Sequence, residues 1–495
     1  MPKIEKNSIK KNFLMNVLLT LSTFIFPLIT FPYVSRVLTP IGTGKVAMAT
    51  SFVQYFVMFA QLGIPTYGIR AVAKVRNDRE KLSKTVHELL IISTITSVIA
   101  YLILFILIPT IPRLAAEKPL YYIMSANIFL NCIGIEWMYK GLEQYTYITV
   151  RSIIFKFIAL VAMFLFIHNQ SDYLIYGITT IVASSLSYVL NFFNAKKYID
   201  VKWLGNYDFR SHFKAVAIFL AMAIATTVYT HLDTVMLGFM TSDVDIGYYN
   251  AAIKIKNVLV SIVTSLGAVL LPRASYYVEK NRMKDFQTIS AKALDFVMVA
   301  ALPVTVYFIY FARQCIMLLS GEAYMGAIQP MQILMPTTIF IGLTNILGIQ
   351  ILVPLGKERA VLHSEILGAI VDLILNFILI PKYAASGAAT GTLIAELAVL
   401  VYQMVVLWKV VRPMLRNISY LKIFVATLLA LVATFWVPAL GLRTFFTLAI
   451  SALLFFSVYL GYLVIRKEPI ALDALHFVGE KIHLTDRFKR GENNE

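Results

Sequence analysis

Apolar stretches of roughly 20 residues recur from one end of the chain to the other, separated by short polar segments. That is the pattern of helices that cross a lipid bilayer. Fourteen such spans can be drawn, near 13–35, 45–65, 87–111, 119–139, 147–168, 172–194, 214–237, 247–270, 293–315, 326–353, 360–381, 385–408, 420–438 and 444–465. The first follows MPKIEKNSIKKN and runs from Phe13 to Val34. It is too long for a signal-peptide core, and no small-residue cleavage site follows, so it is expected to stay as the first helix. The fold class expected is therefore all-α: a polytopic membrane protein with about 14 transmembrane helices.

Charge orients the spans. Most of the 44 Lys and Arg residues fall into alternate inter-span segments, as they do when those segments face the cytoplasm. With the amino terminus inside, the basic loops are 66–86, 195–213 and 271–292, and both termini are cytoplasmic. The segments on the other side are short, and none can hold a folded extracellular domain. The polar tail after Ile465 is expected at the inner surface.

Composition agrees. Hydrophobic residues make up 59% of the chain and charged residues 14%, against about 25% charged in soluble domains. The net charge of +17 sits in loops between apolar segments, which fits anionic lipid headgroups and not nucleic acid. The two cysteines, Cys132 and Cys315, both lie in apolar runs and offer no disulfide or metal framework.

The chain also repeats weakly. Ile41-Gly42 before span 2 answers Ile246-Gly247 before span 8, and GLEQYTYITV at 141–150 answers GKERAVLHSE at 356–365. Two parallel copies of six spans are expected, an arrangement that transporters use to flank a midplane site. The domain boundaries drawn from this are 1–200 for an amino-terminal lobe (spans 1–6), 201–412 for a carboxy-terminal lobe (spans 7–12), 413–466 for spans 13 and 14, and 467–495 for a cytoplasmic tail.

Polar groups are costly in hydrocarbon, so those that share a helix face point to protein or water. On span 8, Asn250, Lys254, Asn257, Ser261 and Thr264 follow the helical period, while Lys256 points nearly the opposite way. Lys254 lines a hydrated cavity in one reading and snorkels to the surface in the other. Span 11 carries Glu365, Gly368, Asp372 and Asn376, and span 12 carries Thr392, Glu396 and Gln403. These carboxylates are either ion-coupling groups or structural hydrogen-bonding groups. Asp233, at the end of span 7, is a further coupling candidate and a partner for Lys254 across the next turn.

In the first half, Ser51, Gln54, Met58 and Gln61 line one face of span 2, and Asn127, Asn131 and Gly134 one face of span 4. Amides both donate and accept, as saccharide hydroxyls require, but they also glue helices together. Lys156 within span 5 either approaches a substrate phosphate or snorkels inward. Pro27 and Pro32 interrupt span 1 and mark either a gate hinge or a static kink.

Enzymatic motifs are absent: there is no phosphate-cradling Gly loop, no zinc spacing and no acidic loop for a metal-bound diphosphate. No catalytic residue and no cofactor is expected, and transport would be driven by a gradient or by the substrate's own downhill flow.

Three stretches together carry a resemblance: LTPIGTGKVAMATSFVQYFVMFAQLGIPTYGIRAVAK at 38–74, HLDTVMLGFMTSDVDIGYYNAAIKI at 231–255, and IPKYAASGAATGTLIAE at 380–396. In order and spacing the chain resembles the polysaccharide flippases of the multidrug/oligosaccharidyl-lipid/polysaccharide exporter superfamily. The resemblance implies two six-helix lobes around a central cavity that opens alternately to each side, in a MATE-like arrangement with two extra helices. It implies translocation of a polyprenyl-diphosphate-linked oligosaccharide unit to the outer leaflet of a bacterial cytoplasmic membrane. By similarity, Arg70 matches the family's arginine after helix 2, Lys254 its helix 8 lysine and Glu396 its helix 12 glutamate. The substrate-binding candidates are then Lys254, Asn250, Asn257, Arg70, Lys156, Gln54, Gln61, Asn127 and Asn131, and the ion-coupling candidates Asp372, Glu365, Glu396 and Asp233. The partners expected are the lipid-linked saccharide, membrane lipids, and the glycosyltransferases and polymerase of a polysaccharide pathway.

Three other readings compete. A cation-coupled drug antiporter of the same superfamily usually carries an acid in helix 1, and Phe13 to Val34 has none. A membrane glycosyl polymerase or ligase needs a sizeable outer loop. A flippase for a lipid-linked peptidoglycan precursor is a near variant.

Overall fold

A computed structural model describes residues 9–416 and 418–473. The stretch 474–495, most of the expected cytoplasmic tail, lies outside the described residues. Every described element is helical, and no strand occurs among the described residues. A bilayer demands this, because hydrocarbon offers no water to an open backbone N–H or C=O.

Among the described residues, nine helices are long and apolar enough to cross a membrane. Two of them, Leu14–Val75 with 62 residues and Glu358–Leu415 with 58, are far too long for one crossing. At 1.5 Å per residue each would reach about 90 Å, three times a hydrocarbon core of about 30 Å. Each turns at a residue with positive φ, Thr39 (φ 57°, ψ 178°) and Ala384 (φ 47°, ψ −125°), and Leu14–Val75 is broken again at Leu62 and Gly63. A further pair, Glu322–Leu334 and Thr337–Leu352, is bent by 44°. The apolar helix Lys118–Gly134 has 17 residues. With the long helices counted as two crossings each, the bent pairs as one, and Lys118–Gly134 as another, the architecture is consistent with the fourteen expected spans.

The turns are tighter than the sequence implies. The polar stretch between spans 1 and 2 is helical up to Thr39, and the helix resumes at once on Pro40. Proline suits a first helical position because the N–H it lacks would be unbonded there anyway. Pro27 and Pro32 do not interrupt the helix; the non-helical residue of Ile9–Gln61 is Thr39. In membranes neighbouring helices readily satisfy the carbonyls that proline frees.

Large apolar side chains cover the outside. Leu421, Leu453 and Ile465 are each more than three-quarters exposed, at 76%, 76% and 78%. In water such a surface would be an aggregation patch, whereas lipid tails are its natural solvent.

The chain divides into two compact units. The first comprises the described residues up to Ala251, together with Leu319–Ala327 and Leu373–Ala388. One of its cores packs Val53, Val57, Leu104, Ile108, Met124 and Ile128, and a second packs Val72, Val86, Leu89, Trp137 and Met138. The second unit comprises Ala252–Leu318, Ile328–Asp372 and the described residues from Ala389 on. In it the helix Met283–Tyr310 packs against Tyr420–Thr434 and Thr444–Ile465. The Tyr307 hydroxyl meets Ser451 Oγ at 2.9 Å, and Tyr459 donates to the Val299 carbonyl at 2.6 Å. Helices that share lipid as solvent gain little from apolar contact, so such hydrogen bonds and close packing hold them.

Candidate functional site

In the first unit, segments far apart in sequence close tightly on one another. The turn at Pro40–Gly44 lies against the start of the helix Asp243–Glu279. A Cβ on Gly44 would collide with the Asp243 carbonyl, and one on Gly247 with the Pro40 carbonyl. Only glycine allows two backbones to come so near. Around this seam Thr43 Oγ1 meets the Tyr324 hydroxyl at 2.6 Å, and Ser35 donates to the Leu319 carbonyl at 3.2 Å. Arg113 pairs with Asp243 and donates through Nε to the Gly238 carbonyl at 2.7 Å. Lys45 pairs with Glu117 at 2.5 Å.

Next to the seam lies a buried polar cluster. Asp233 is 6% exposed; it accepts from Asn376 Nδ2 at 2.5 Å and from the Tyr249 hydroxyl. A carboxylate in low dielectric needs such donors. Asp372, one turn before Asn376 on the same helix, is also buried. The expected span 11 stripe is thereby split: Gly368, Asp372 and Asn376 are buried and Glu365 is exposed. On the following half of the helix Thr392, Glu396 and Gln403 share a buried face, as their spacing requires. In the second unit Gln403 Nε2 donates to Ser364 Oγ at 3.0 Å.

A third feature of the first unit is a partly open cavity of about 140 Å³ lined by Gln61, Asn131, Glu136, Trp137, Lys140 and Tyr188, among others. Gln61 Nε2 lies 3.4 Å from both Asn131 Oδ1 and the Asn131 carbonyl oxygen. Two candidates read from separate spans thus meet. Glu136 accepts from Lys140 at 2.9 Å and from Arg151 at 3.0 Å. Arg151 is itself 4% exposed and donates to the Ser187 carbonyl at 2.9 Å. Sequence reasoning overlooked Glu136, Lys140, Trp137, Arg151 and Tyr188. The available signal was opposite charge at the facing ends of spans 4 and 5, where Glu136 and Arg151 have to neutralise each other.

The remaining candidates lie apart. Lys156 is 8% exposed and donates to Ser22 Oγ at 2.6 Å, deep among the helices of the first unit. Asn127 accepts from Asn131 Nδ2 through its backbone carbonyl at 2.9 Å, and Gln54 is half-buried. Asn250 is half-buried and donates to the Ile246 carbonyl at 3.0 Å; Asn257 is exposed. Lys254 and Lys256 are both half-buried. Arg70 is exposed on the short helix Ile64–Val75.

Long helices broken at midpoint turns, polar groups buried on matched helix faces and a lipid-like exterior define a polytopic transport protein. The fold agrees. It is similar to the solved "Lipid II flippase MurJ, inward closed conformation", with TM-score 0.72 at 16% identity, over 92% of this chain and 100% of that one. It is similar also to the inward-facing conformation of a multidrug resistance MATE family transporter of the MOP superfamily, with TM-score 0.61 at 14% identity, over 79% of this chain and 95% of that one. In sequence it is 23% identical over 397 residues to a putative O-antigen transporter of Escherichia coli (strain K12), covering 79% of this chain and 94% of that protein. The polysaccharide biosynthesis protein family matches residues 9–278, and the MatE family residues 218–378. The chain belongs to the polysaccharide biosynthesis protein family, within the polysaccharide flippase branch of the MOP superfamily.

Proposed function

We propose that this protein is a flippase that carries a polyprenyl-diphosphate-linked oligosaccharide repeat unit from the cytoplasmic to the outer leaflet, for cell-surface polysaccharide synthesis. The observation that carries this is the polysaccharide biosynthesis family match over residues 9–278, joined to a putative O-antigen transporter that aligns over nearly its whole length. The membrane is the bacterial cytoplasmic membrane, with both termini inside, as the alternation of basic loops supports. The protein moves its substrate and does not transform it.

The mechanism is alternating access between the halves 1–200 and 201–412. With that topology the Gly44–Asp243 seam lies at the outer face and parts when the outer side opens. Lys254, on the helix that leaves the seam, holds the diphosphate as a point charge that can release it again. Arg70, at the inner end of span 2, meets it first. Asn250, Asn257, Gln54 and Asn127 offer donors and acceptors to the saccharide, while Lys156 steadies the helices of the first half. The buried carboxylates Asp372, Asp233 and Glu396 are the ion-coupling groups. Glycosyltransferases and a polymerase act before and after it in the pathway.

The MatE match over residues 218–378 favours a second reading, a cation-coupled antiporter of small molecules. Proteoliposomes holding the purified chain and a fluorescent polyprenyl-diphosphate disaccharide separate the two. The flippase exposes the inner-leaflet sugar to an external glycosidase faster than empty vesicles do. No acceleration, together with cation-driven efflux of a cationic dye, would establish the antiporter.

A further inference from the structure

The cavity of the first unit is built by three interruptions of its helices. Gln61 directly precedes Leu62 (φ 48°) and Gly63 (φ 75°). Glu136 directly follows Ile135 (φ 34°). Tyr188 lies two residues after the π-helical turn Val182–Leu186. Leu62 and Ile135 hold the left-handed conformation without being glycine, which costs energy and persists only where the surroundings enforce it. Single π turns likewise tend to mark functional places in helices. All three breaks open onto one space.

The lining is chemically mixed. Glu136 offers a carboxylate held in place by Lys140 and Arg151. The amides of Gln61 and Asn131 donate and accept, and the Lys140 ammonium donates. Trp137 and Tyr188 add aromatic surface beside these groups. Arg151, though buried, has no hydrogen-bond partner at Nε among the described residues. A volume of about 140 Å³ is close to that of a cavity of about 150 Å³ that accepts one benzene ring. That is room for one ring.

We infer that this cavity is a subsite for a single sugar ring of the saccharide, separate from the place where Lys254 meets the diphosphate. The proposal rests on the flippase reading and names the part of the substrate it contacts. A sugar presents hydroxyls at its rim and C–H bonds on its face. The carboxylate, amides and ammonium meet the rim, and the aromatic rings meet the face. An acyl chain would bring hydrocarbon against the carboxylate, amides and ammonium of the lining, and a phosphate would face Glu136. The subsite gives the transporter a way to read the sugar and not only the carrier lipid.

The test needs no lipid-linked substrate. Pro65, which also lines the cavity, is replaced as Pro65→Cys in the full chain with Cys132→Ala and Cys315→Ala. Labelling by N-ethylmaleimide is timed with glucose, galactose, N-acetylglucosamine or glucuronate at up to about 100 mM, the range for weak single-ring contacts. Betaine at equal osmolality is the control. At least one sugar should slow labelling about threefold or more, and Gln61→Leu should abolish that protection without changing the rate in the absence of sugar. If no sugar protects, or betaine protects as well, the subsite is wrong whatever Gln61→Leu does to folding. Transport of the lipid-linked disaccharide without protection overturns the subsite and leaves the flippase reading standing. Protection without transport supports the subsite and removes the flippase reading.

Discussion

No atom larger than hydrogen fits between the Cα of Gly44 and the carbonyl of Asp243. The two residues belong to the two proposed lobes, 1–200 and 201–412, so in the proposed alternating-access cycle this contact parts when the outer side opens. Overpacking a tight site costs about 1–3 kcal/mol, which displaces a two-state balance by about tenfold. Gly44→Val should therefore lower transport about tenfold with normal expression, by holding the seam apart. A cysteine at Ser35, now fully buried beside the Leu319 carbonyl, should become reactive to an impermeant maleimide added from outside. Unchanged transport and an unreactive Ser35→Cys would show that the seam is not a moving contact.

The topology is tested at the loop 66–86. A cysteine replacing Lys81, whose side chain is 70% exposed, should resist impermeant reagents in intact cells and react after permeabilisation. Labelling in intact cells would invert the proposed orientation.

Lys254 and Lys256 lie two residues apart at nearly the same depth and on different faces of one helix. Lys254→Ala should abolish translocation, Lys254→Arg should retain part of it, and Lys256→Ala should be mild. A diphosphate in low dielectric needs fixed positive charge, and removing it from the path costs far more than losing a charge elsewhere. Should Lys256→Ala prove the more damaging in the transport assay, the cavity face of this helix has been misassigned.

Burial separates the two acids of span 11. Asp372 is 2% exposed and Glu365 is exposed. Asp372→Asn should weaken the dependence of transport on pH or on the driving cation, with Glu365→Gln the milder change. A carboxylate held in low dielectric needs a partner or a proton, and a proton taken up there can leave when its surroundings open to water. A transport profile unchanged by both substitutions removes span 11 from coupling.

Asp78, outside the membrane, is a local source of acid sensitivity. Asp78 caps the helix Arg79–Thr110, accepting from the Lys81 backbone N–H at 3.1 Å and pairing with its ammonium at 3.2 Å. The backbone N–H of Lys81, followed by its side chain, holds the Asp78 carboxyl below the usual carboxylate value. A depressed value in the folded chain means that the contribution is complete above the unfolded value of about 3.9 and is lost as pH falls through the lower folded one. Hydrogen exchange at residues 79–83 should be faster in Asp78→Ala than in the wild type at pH 7, and the difference should shrink below about pH 4. A difference that stays constant down to pH 2 would rule out the carboxylate as the cap.

The spans, their length and their helical form were legible in the sequence because the bilayer charges each residue separately. A charged or polar side chain in hydrocarbon is costly wherever its partners are, so the apolar runs report the crossings directly. Helix-face spacing was legible for the same reason, and Thr392, Glu396 and Gln403 do share a buried face. What the sequence left open depends on contacts between distant segments. The helix turns back at Thr39 and not at Pro27 or Pro32, because packed neighbours decide which break is needed. Glu365 and Asp372 fit one helical stripe, yet only tertiary packing exposes one and buries the other. Glu136 and Lys140 read as the end of an apolar span. They become cavity walls because Ile135 takes a left-handed conformation that no propensity favours and that only the surrounding fold can enforce.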